Sequence, residues 1–249
     1  MANGLRLAVA WARSVAGYAF LCLYVAIVGP PAFLVTTISG RTRHLFVLGR
    51  FGAKTARQIL GIGFVVDGMH WVDDSRPTVY VINHRSNVDV LIFEILLPAC
   101  PRLRAIYKAE MNQLPILGRA MRAAGFVPVE RADRERAIEA VDAAVARLVE
   151  GYSFLLAPEG TRNTADEMRP FKKGAFVIAI KAQAAIVPIA LIGTAEAMPR
   201  GRAYITPTRV TVRVGPPIPA AGLTMDDRDA LAGRVRGAME ALLAQGAIQ

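Results

Sequence analysis

The residues best suited to chemistry in this chain lie in one heptapeptide, Asn83-His84-Arg85-Ser86-Asn87-Val88-Asp89. A carboxylate that holds one ring nitrogen of a histidine fixes its tautomer and presents the other nitrogen as a base. His84 and Asp89 stand five residues apart. On a continuous helix that spacing turns through about 500° and sends the two side chains to different faces, so they meet only where the backbone bends. A strand ending near residue 82 and a helix beginning near residue 89 supply such a bend. The same turn admits a plainer role for His84, as a cap on the helix that follows. Ser86 lies on the turn as well, but nothing around it forms the sharp elbow that exposes a nucleophile. If a substrate brings its own hydroxyl, no covalent intermediate is needed, and Ser86 is expected to bond within the turn or cap the helix.

A second cluster reads as an anion site. Pro158-Glu159-Gly160-Thr161-Arg162 follows an apolar run, residues 153–157, that reads as a strand. Gly160 allows backbone N–H groups to approach an anion closely, and Arg162 adds a two-pronged cationic fork. Arg131 at a strand exit, with Lys172 and Lys173 ahead of a predicted helix, could complete a basic pocket, although paired lysines more often form a solvated or headgroup-facing patch. Glu159 is read as architecture held by an ion pair rather than as a second catalytic acid. Lys108 and Glu110 share one side of a strand and could pair with each other or line the site. Cys22 and Cys100 have no CxxC spacing and no histidine at metal distance, so both are expected to be reduced core thiols.

The elements that must position these groups alternate beyond about Gly61. Strands are expected at 78–82, 104–108, 125–129, 153–157, 186–192 and 209–214, and helices at 89–97, 132–150 and 175–183. Thr224 with Asp227 resembles a capping box opening a final helix. This is the pattern of an α/β domain with a mixed, mostly parallel sheet flanked by helices. It is assigned to residues 61–249, after an N-terminal membrane-anchoring helical region at 1–60.

That anchor rests on composition. The chain of 249 residues is 53% hydrophobic yet carries a formal charge of +10, so apolar and basic residues must be segregated. Residues 14–39 hold no charged side chain. At about 1.5 Å per residue the run can cross a bilayer core of roughly 30 Å only by continuing through Pro30 and Pro31. The prolines leave two readings: one kinked spanning helix, or two short helices forming a re-entrant hairpin. A cleaved leader is disfavoured, since no small-x-small site follows Val28. Arg41, Arg43, Arg50, Lys54 and Arg57 lead to the expectation that the following domain lies on the cytoplasmic side of the membrane, taken to be a bacterial-type inner membrane. The charge alone would also suit nucleic acid, but no finger spacing, aromatic platform or bare basic helix supports that partner.

Taken in order, these blocks resemble the glycerolipid acyltransferase family, most closely its lysophosphatidate acyltransferases. His84 to Asp89 matches the first motif. Lys108-Ala109-Glu110, with Pro115 and Gly118, matches the region before the second, and Gly125 to Arg131 matches the second itself. Pro158 to Arg162 matches the third motif, and Val187-Pro188-Ile189 matches the fourth. The resemblance implies transfer of a fatty acyl group from acyl-CoA or acyl carrier protein to the 2-hydroxyl of 1-acylglycerol 3-phosphate, giving phosphatidic acid. It implies His84 as base and Asp89 as its orienter. It assigns Arg162, Gly160, Thr161, Arg131 and Lys108 to the acceptor phosphate, and Asn83, Ser86, Glu110 and Glu159 to site architecture. Val187, Pro188 and Ile189 are assigned to acyl or donor contact. Membrane lipids, the lysophospholipid acceptor and the acyl donor are the implied partners, with no metal or other cofactor. Ala157 stands where the family often has an aromatic residue and Asn163 where it often has Ser. These departures keep open another acceptor, such as lyso-ornithine lipid or a different lysophospholipid. A non-catalytic lipid-binding protein is the rival outside the enzyme class.

Overall fold

The computed structural model describes residues 2–130, 132–163 and 167–248. Two helices precede the sheet. α1 (Ala2–Ser39) runs unbroken through Pro30 and Pro31. Proline's fixed φ is helical, so what the pair removes is two N–H groups that would have reached the carbonyls of Ala26 and Ile27. Between Gly4 and Ser39 the helix is long and apolar enough to cross a membrane by length and composition. α2 (Arg43–Leu60) then folds back along it and ends on Gly61, whose φ of 74° suits a residue without a Cβ. The two helices approach closely at glycines. A Cβ on Gly17 would come within 2.7 Å of Leu60, and one on Gly52 within 2.6 Å of Tyr24. Read from the sequence as a basic flank, this segment is an amphipathic helix whose Val47 and Phe51 are each 60% exposed while Ala56 and Leu60 are buried.

Polar bonds tie this hairpin to the rest of the molecule. Ser14 is fully buried on α1 and its hydroxyl accepts from the Ile205 amide at 2.7 Å, while Tyr18 Oη donates to the Ala203 carbonyl. On α2, Arg57 Nε donates to Glu94 Oε2 at 2.5 Å and Arg57 Nη1 to the Ile62 carbonyl.

The sheet comprises β1 (Ile62–Asp67), β2 (Thr78–Ile82), β3 (Leu103–Lys108), β4 (Val127–Val129), β5 (Ser153–Leu156), β6 (Ala185–Ile192) and β7 (Thr208–Val214), ordered β1-β7-β6-β2-β5-β3-β4. Every pairing is parallel except β6 with β7. The expected mixed, mostly parallel sheet is therefore present. β1 extends it at an edge where the sequence reading placed no strand. The helices between are α3 (Ile92–Leu96), α4 (Pro115–Ala123), α5 (Arg134–Val149), α6 (Gly174–Lys181), α7 (Thr194–Ala197) and α8 (Arg228–Ala244). α5 begins two residues later than expected because Asp133 caps it, accepting from the amides of Glu135 and Arg136. The capping box of Thr224 and Asp227 is present ahead of α8.

Alternation along the strands splits the core into two layers. Val79, Val81, Phe154 and Ile186 face α5, α6 and α8. Tyr80, Ile82, Leu155, Val187 and Ile189 face the other way, against Ile92 and Leu96 of α3. Because β2, β3, β5 and β6 run parallel, their carboxyl ends share one edge, where open α/β sheets hold ligands. Both sequence clusters start at that edge.

Candidate active site

At the end of β2 the chain is held before it turns. Asn83 Nδ2 donates to the Leu191 carbonyl at 2.9 Å and Asn83 Oδ1 accepts from the Leu191 amide at 2.7 Å. The side chain thus completes the sheet's ladder where β2 peels away from β6. A 3-10 turn, Asn87–Leu91, follows and leads into α3, so the expected single helix start is a tight turn followed by a short α-helix. Ser86 is the cap. Its hydroxyl accepts from the Val88 amide and donates to the Met198 carbonyl at 2.8 Å, and the residue is wholly buried.

Asp89 folds back over this turn. One oxygen, Oδ2, accepts from the amides of Arg85 and Ser86, each at 2.9 Å, and lies 2.7 Å from His84 Nδ1. A carboxylate can only accept, so Nδ1 carries the proton and Nε2 the lone pair. The turn is capped by Ser86 and Asp89, which frees the His84 ring for another purpose and removes the plainer reading of His84 as a cap. Asp89 is 2% exposed, whereas the His84 side chain is 28% exposed and borders a cavity. Five residues of separation, unsuited to a helix, become one hydrogen bond because the backbone bends between them.

The second cluster straps the first. Glu159 is 2% exposed, and its carboxylate is shared between two backbone amides, His84 N to Oε1 at 3.0 Å and Arg169 N to Oε2 at 3.1 Å. Among the described residues Glu159 makes no ion pair, and this bridge between two chain segments takes the place of the expected one. The Asn163 amide donates to the His84 carbonyl at 2.7 Å, so both peptide groups of His84 are fixed by the same loop. Gly160 has a φ of 71°, and a Cβ there would meet Lys172 Cδ at 2.8 Å. The Lys172 stem therefore lies directly over the glycine turn, with its amide donating to the Pro158 carbonyl at 2.7 Å.

Beside this junction opens a cavity of about 380 Å³. His84, Asp89, Gly160 and Lys172 stand at its polar end. Its walls include Val90, Phe93, Ile106, Val141 and Ile178. Small side chains make the space, since Ala105, Ala137, Ala140, Ala157 and Ala175 all line it. The family departure at Ala157 thus falls on the cavity wall, while Asn163 falls in the strap, where its side chain also donates to the Glu167 carbonyl. A base at the mouth of an apolar pocket can deprotonate a hydroxyl while a hydrocarbon chain fills the interior.

The remaining expected site residues are placed as follows. Arg162 and Thr161 are half-buried on the loop that carries Gly160. Arg131 lies outside the described residues. Lys108 pairs with Glu110 at 2.8 Å, with both side chains more than half exposed and neither on the cavity wall, so the structure favours the ion pair over substrate contact. Val187, Pro188 and Ile189 sit inside β6, paired residue for residue with Tyr80, Val81 and Ile82. They are buried and do not line the cavity, whose strand-borne walls come from β2, β3, β4 and β5, with Val187 and Ile189 packed instead in the layer against α3. The sequence reading passed over the walls supplied by α3 and α5. Their signal was the alanine spacing on α5, which periodicity cannot separate from ordinary helix packing.

Comparison with known proteins adds an independent line. Residues 63–192 match the family model described as Acyltransferase. The chain is 34% identical over 218 residues to the Homo sapiens 1-acyl-sn-glycerol-3-phosphate acyltransferase alpha, covering 87% of this chain and 75% of that protein. It is 32% identical over 243 residues to the Homo sapiens beta protein of the same name, covering 94% and 86%. With the chloroplastic LPAT1 of Arabidopsis thaliana it shares 33% over 180 residues, covering 72% and 49%. In fold it is similar to the crystal structure of the 1-acyl-sn-glycerophosphate (LPA) acyltransferase PlsC from Thermotoga maritima, at a TM-score of 0.76 and 23% identity over 97% of this chain and 99% of that one.

Proposed function

The chain belongs to the acyltransferase family, and we propose that it transfers a fatty acyl group from a thioester donor to the 2-hydroxyl of 1-acylglycerol 3-phosphate, forming phosphatidic acid. The observation that carries this reading is the His84–Asp89 pair at 2.7 Å, set at the mouth of an apolar cavity beside the Gly160 turn. His84 Nε2 takes the acceptor's hydroxyl proton as the oxygen attacks the thioester carbonyl. The tetrahedral intermediate then collapses, expelling the thiolate, which is protonated from the imidazolium. Asp89 holds the imidazolium through this cycle. Ser86 takes no covalent part, because its hydroxyl is committed on both sides and buried.

In this reading Arg162 and the backbone around Gly160 and Thr161 hold the acceptor phosphate, and the apolar cavity takes an acyl chain. Acyl-CoA and acyl carrier protein both present the required thioester, and no metal or redox group is called for. Residues 1–60 seat the α/β unit on a membrane through α1 and the apolar face of α2. We place that unit on the cytoplasmic face, supported by the basic residues that follow α1.

The test is an acceptor panel with labelled acyl-CoA and acyl carrier protein, using protein purified with its helices intact. Phosphatidic acid formed from lysophosphatidate, and lost in His84→Ala by about 10²-fold or more, is the expected result. Product only from lyso-ornithine lipid or another lysolipid would redirect the acceptor assignment. Lipid binding without turnover on any acceptor would overturn the enzyme reading.

A further inference from the structure

α8 lies beyond the residues matched by the family model, which end at 192. Its Arg236 nevertheless reaches into the site's scaffold. Nη1 donates to the Arg169 carbonyl at 3.1 Å and Nη2 to the Met168 carbonyl at 2.9 Å. The guanidinium also stands 5.5 Å over the Phe171 ring, and its Nε is held by Glu240 at 2.9 Å. One planar group thereby fixes two consecutive carbonyls and the aromatic side chain of the same loop. A guanidinium is suited to this because its donors diverge from a rigid plane, whereas a lysine ammonium offers a single compact charge.

The loop so held is the one whose Arg169 amide donates to Glu159. The other oxygen of that carboxylate holds the His84 amide, and Lys172, three residues along from Arg169, covers Gly160 at the cavity mouth. A continuous path therefore runs from Arg236 through the Met168 and Arg169 peptide groups to Glu159, and from there to the backbone of the base. With Arg236 removed, the Met168–Arg169 and Arg169–Pro170 peptides each lose the tether on their carbonyl. Glu159 then shares its charge with one fixed and one loose partner.

We propose that Arg236 is a positioning residue for the reaction. It sets the 167–172 loop so that the Gly160 and Arg162 side of the site and the His84 side are in register for the acceptor. The inference rests on the acyltransferase reading above, and native activity separates the two. If the native protein makes no phosphatidic acid, that reading has failed; if it does and the variants below behave as native, only this inference has failed.

The experiment compares native protein with Arg236→Ala, Arg236→Lys and Glu240→Gln, each assayed well below its own melting midpoint with acceptor and donor varied separately. Arg236→Ala is expected to lower kcat/KM for lysophosphatidate about tenfold, as loss of charge-assisted bonds at a positioning site would, while the donor KM stays within about twofold. Arg236→Lys, which keeps the charge on a single donor nitrogen, should recover much of that loss. Glu240→Gln should stay near native, since an exposed pair contributes little. A general loosening of the fold would instead shift the melting midpoint and weaken donor and acceptor parameters alike. That pattern, or acceptor kinetics within twofold of native in Arg236→Ala, overturns the proposal. If Arg236→Ala does not fold, Arg236→Gln takes its place and is judged by the same split.

Discussion

Asp89→Asn separates two ways in which a carboxylate can help a histidine. In the wild-type turn three donors converge on one oxygen, from His84 Nδ1 at 2.7 Å and the Arg85 and Ser86 amides at 2.9 Å. The other oxygen, Oδ1, is buried with no hydrogen-bond partner among the described residues. An asparagine can therefore place its carbonyl at the Oδ2 position and keep all three bonds, with its NH₂ at the unpartnered position. The flipped amide would set NH₂ against two backbone N–H groups, so it is disfavoured. His84 then keeps its tautomer and orientation, and what is lost is the negative charge opposite the imidazolium.

The size of that loss can be bracketed. A hydrogen bond to a charged acceptor contributes about 1 to 1.5 kcal/mol more than a neutral one. The Coulomb attraction of a full ion pair at about 4 Å is near 4 kcal/mol at an effective dielectric of about 20. At about 1.4 kcal/mol per decade, kcat should fall between roughly tenfold and a thousandfold. The assay is steady-state phosphatidic acid formation with both substrates saturating, alongside a melting curve. His84→Ala and the double variant complete a cycle. Once the base is gone the charge has nothing to stabilise, so the double variant should be no worse than His84→Ala. A kcat for Asp89→Asn within about threefold of native would refute the electrostatic role. So would an equal further loss on the His84→Ala background.

Four further outcomes follow from the same geometry. Ser86→Ala should keep substantial turnover and form no acyl adduct by intact mass, while losing about 1 to 2 kcal/mol of stability as the cap and the bond to Met198 disappear; a stoichiometric adduct on Ser86 would sink direct transfer. Arg162→Ala should raise the KM for phosphate-bearing acceptors by about tenfold or more with donor KM little changed, and the reverse pattern would remove Arg162 from the acceptor phosphate. Glu94→Ala strands Arg57, whose side chain is 15% exposed, and breaks the main ionic tie between α2 and α3; after allowance for that partial exposure a loss of about 2 to 4 kcal/mol is expected by chemical denaturation, and less than about 0.5 kcal/mol would contradict a structural role for the pair. Burial pushes the Cys100 thiol up to about 11, so alkylation at pH 8 should spare Cys100 until the protein is denatured. The unfolded thiol releases its proton near pH 9 while the folded one holds it, so this group lowers stability as pH rises from about 9 towards 11; a native stability that does not fall relative to Cys100→Ala across that window would show the sign to be wrong.

What local sequence could determine here was whatever a short segment decides by itself. The run at 78–82 is a strand because its consecutive β-branched and aromatic residues suit a strand buried on both faces, and the structure places all five residues there. The capping box at Thr224 and Asp227 and the helix after Asp133 follow from side-chain bonds reaching only two or three residues. The spacing of His84 and Asp89 allowed a pair across a strand-to-helix bend but equally a capping histidine, and only the ordered set of motif blocks favoured the pair. Tertiary structure alone decided the rest. Glu159 offers no sequence sign that its two oxygens serve amides 75 residues before it and 10 after it. Val187 to Ile189 read as an apolar block available to a lipid chain, yet in the fold they are buried within β6, with Val187 and Ile189 packed in the layer against α3. Ala137, Ala140 and Ala157 are small residues like many others until the packing of α5 against the sheet makes their missing volume into a cavity. α2 became a partner for α1 through glycines that matter only once the helices touch. Arg236 is one cation among thirty basic residues until the chain brings it 67 residues back to Arg169. The physical reason is common to these cases: caps, strands and bends are set by interactions within a few residues, whereas cavities, clamps and buried carboxylates are products of packing between distant segments.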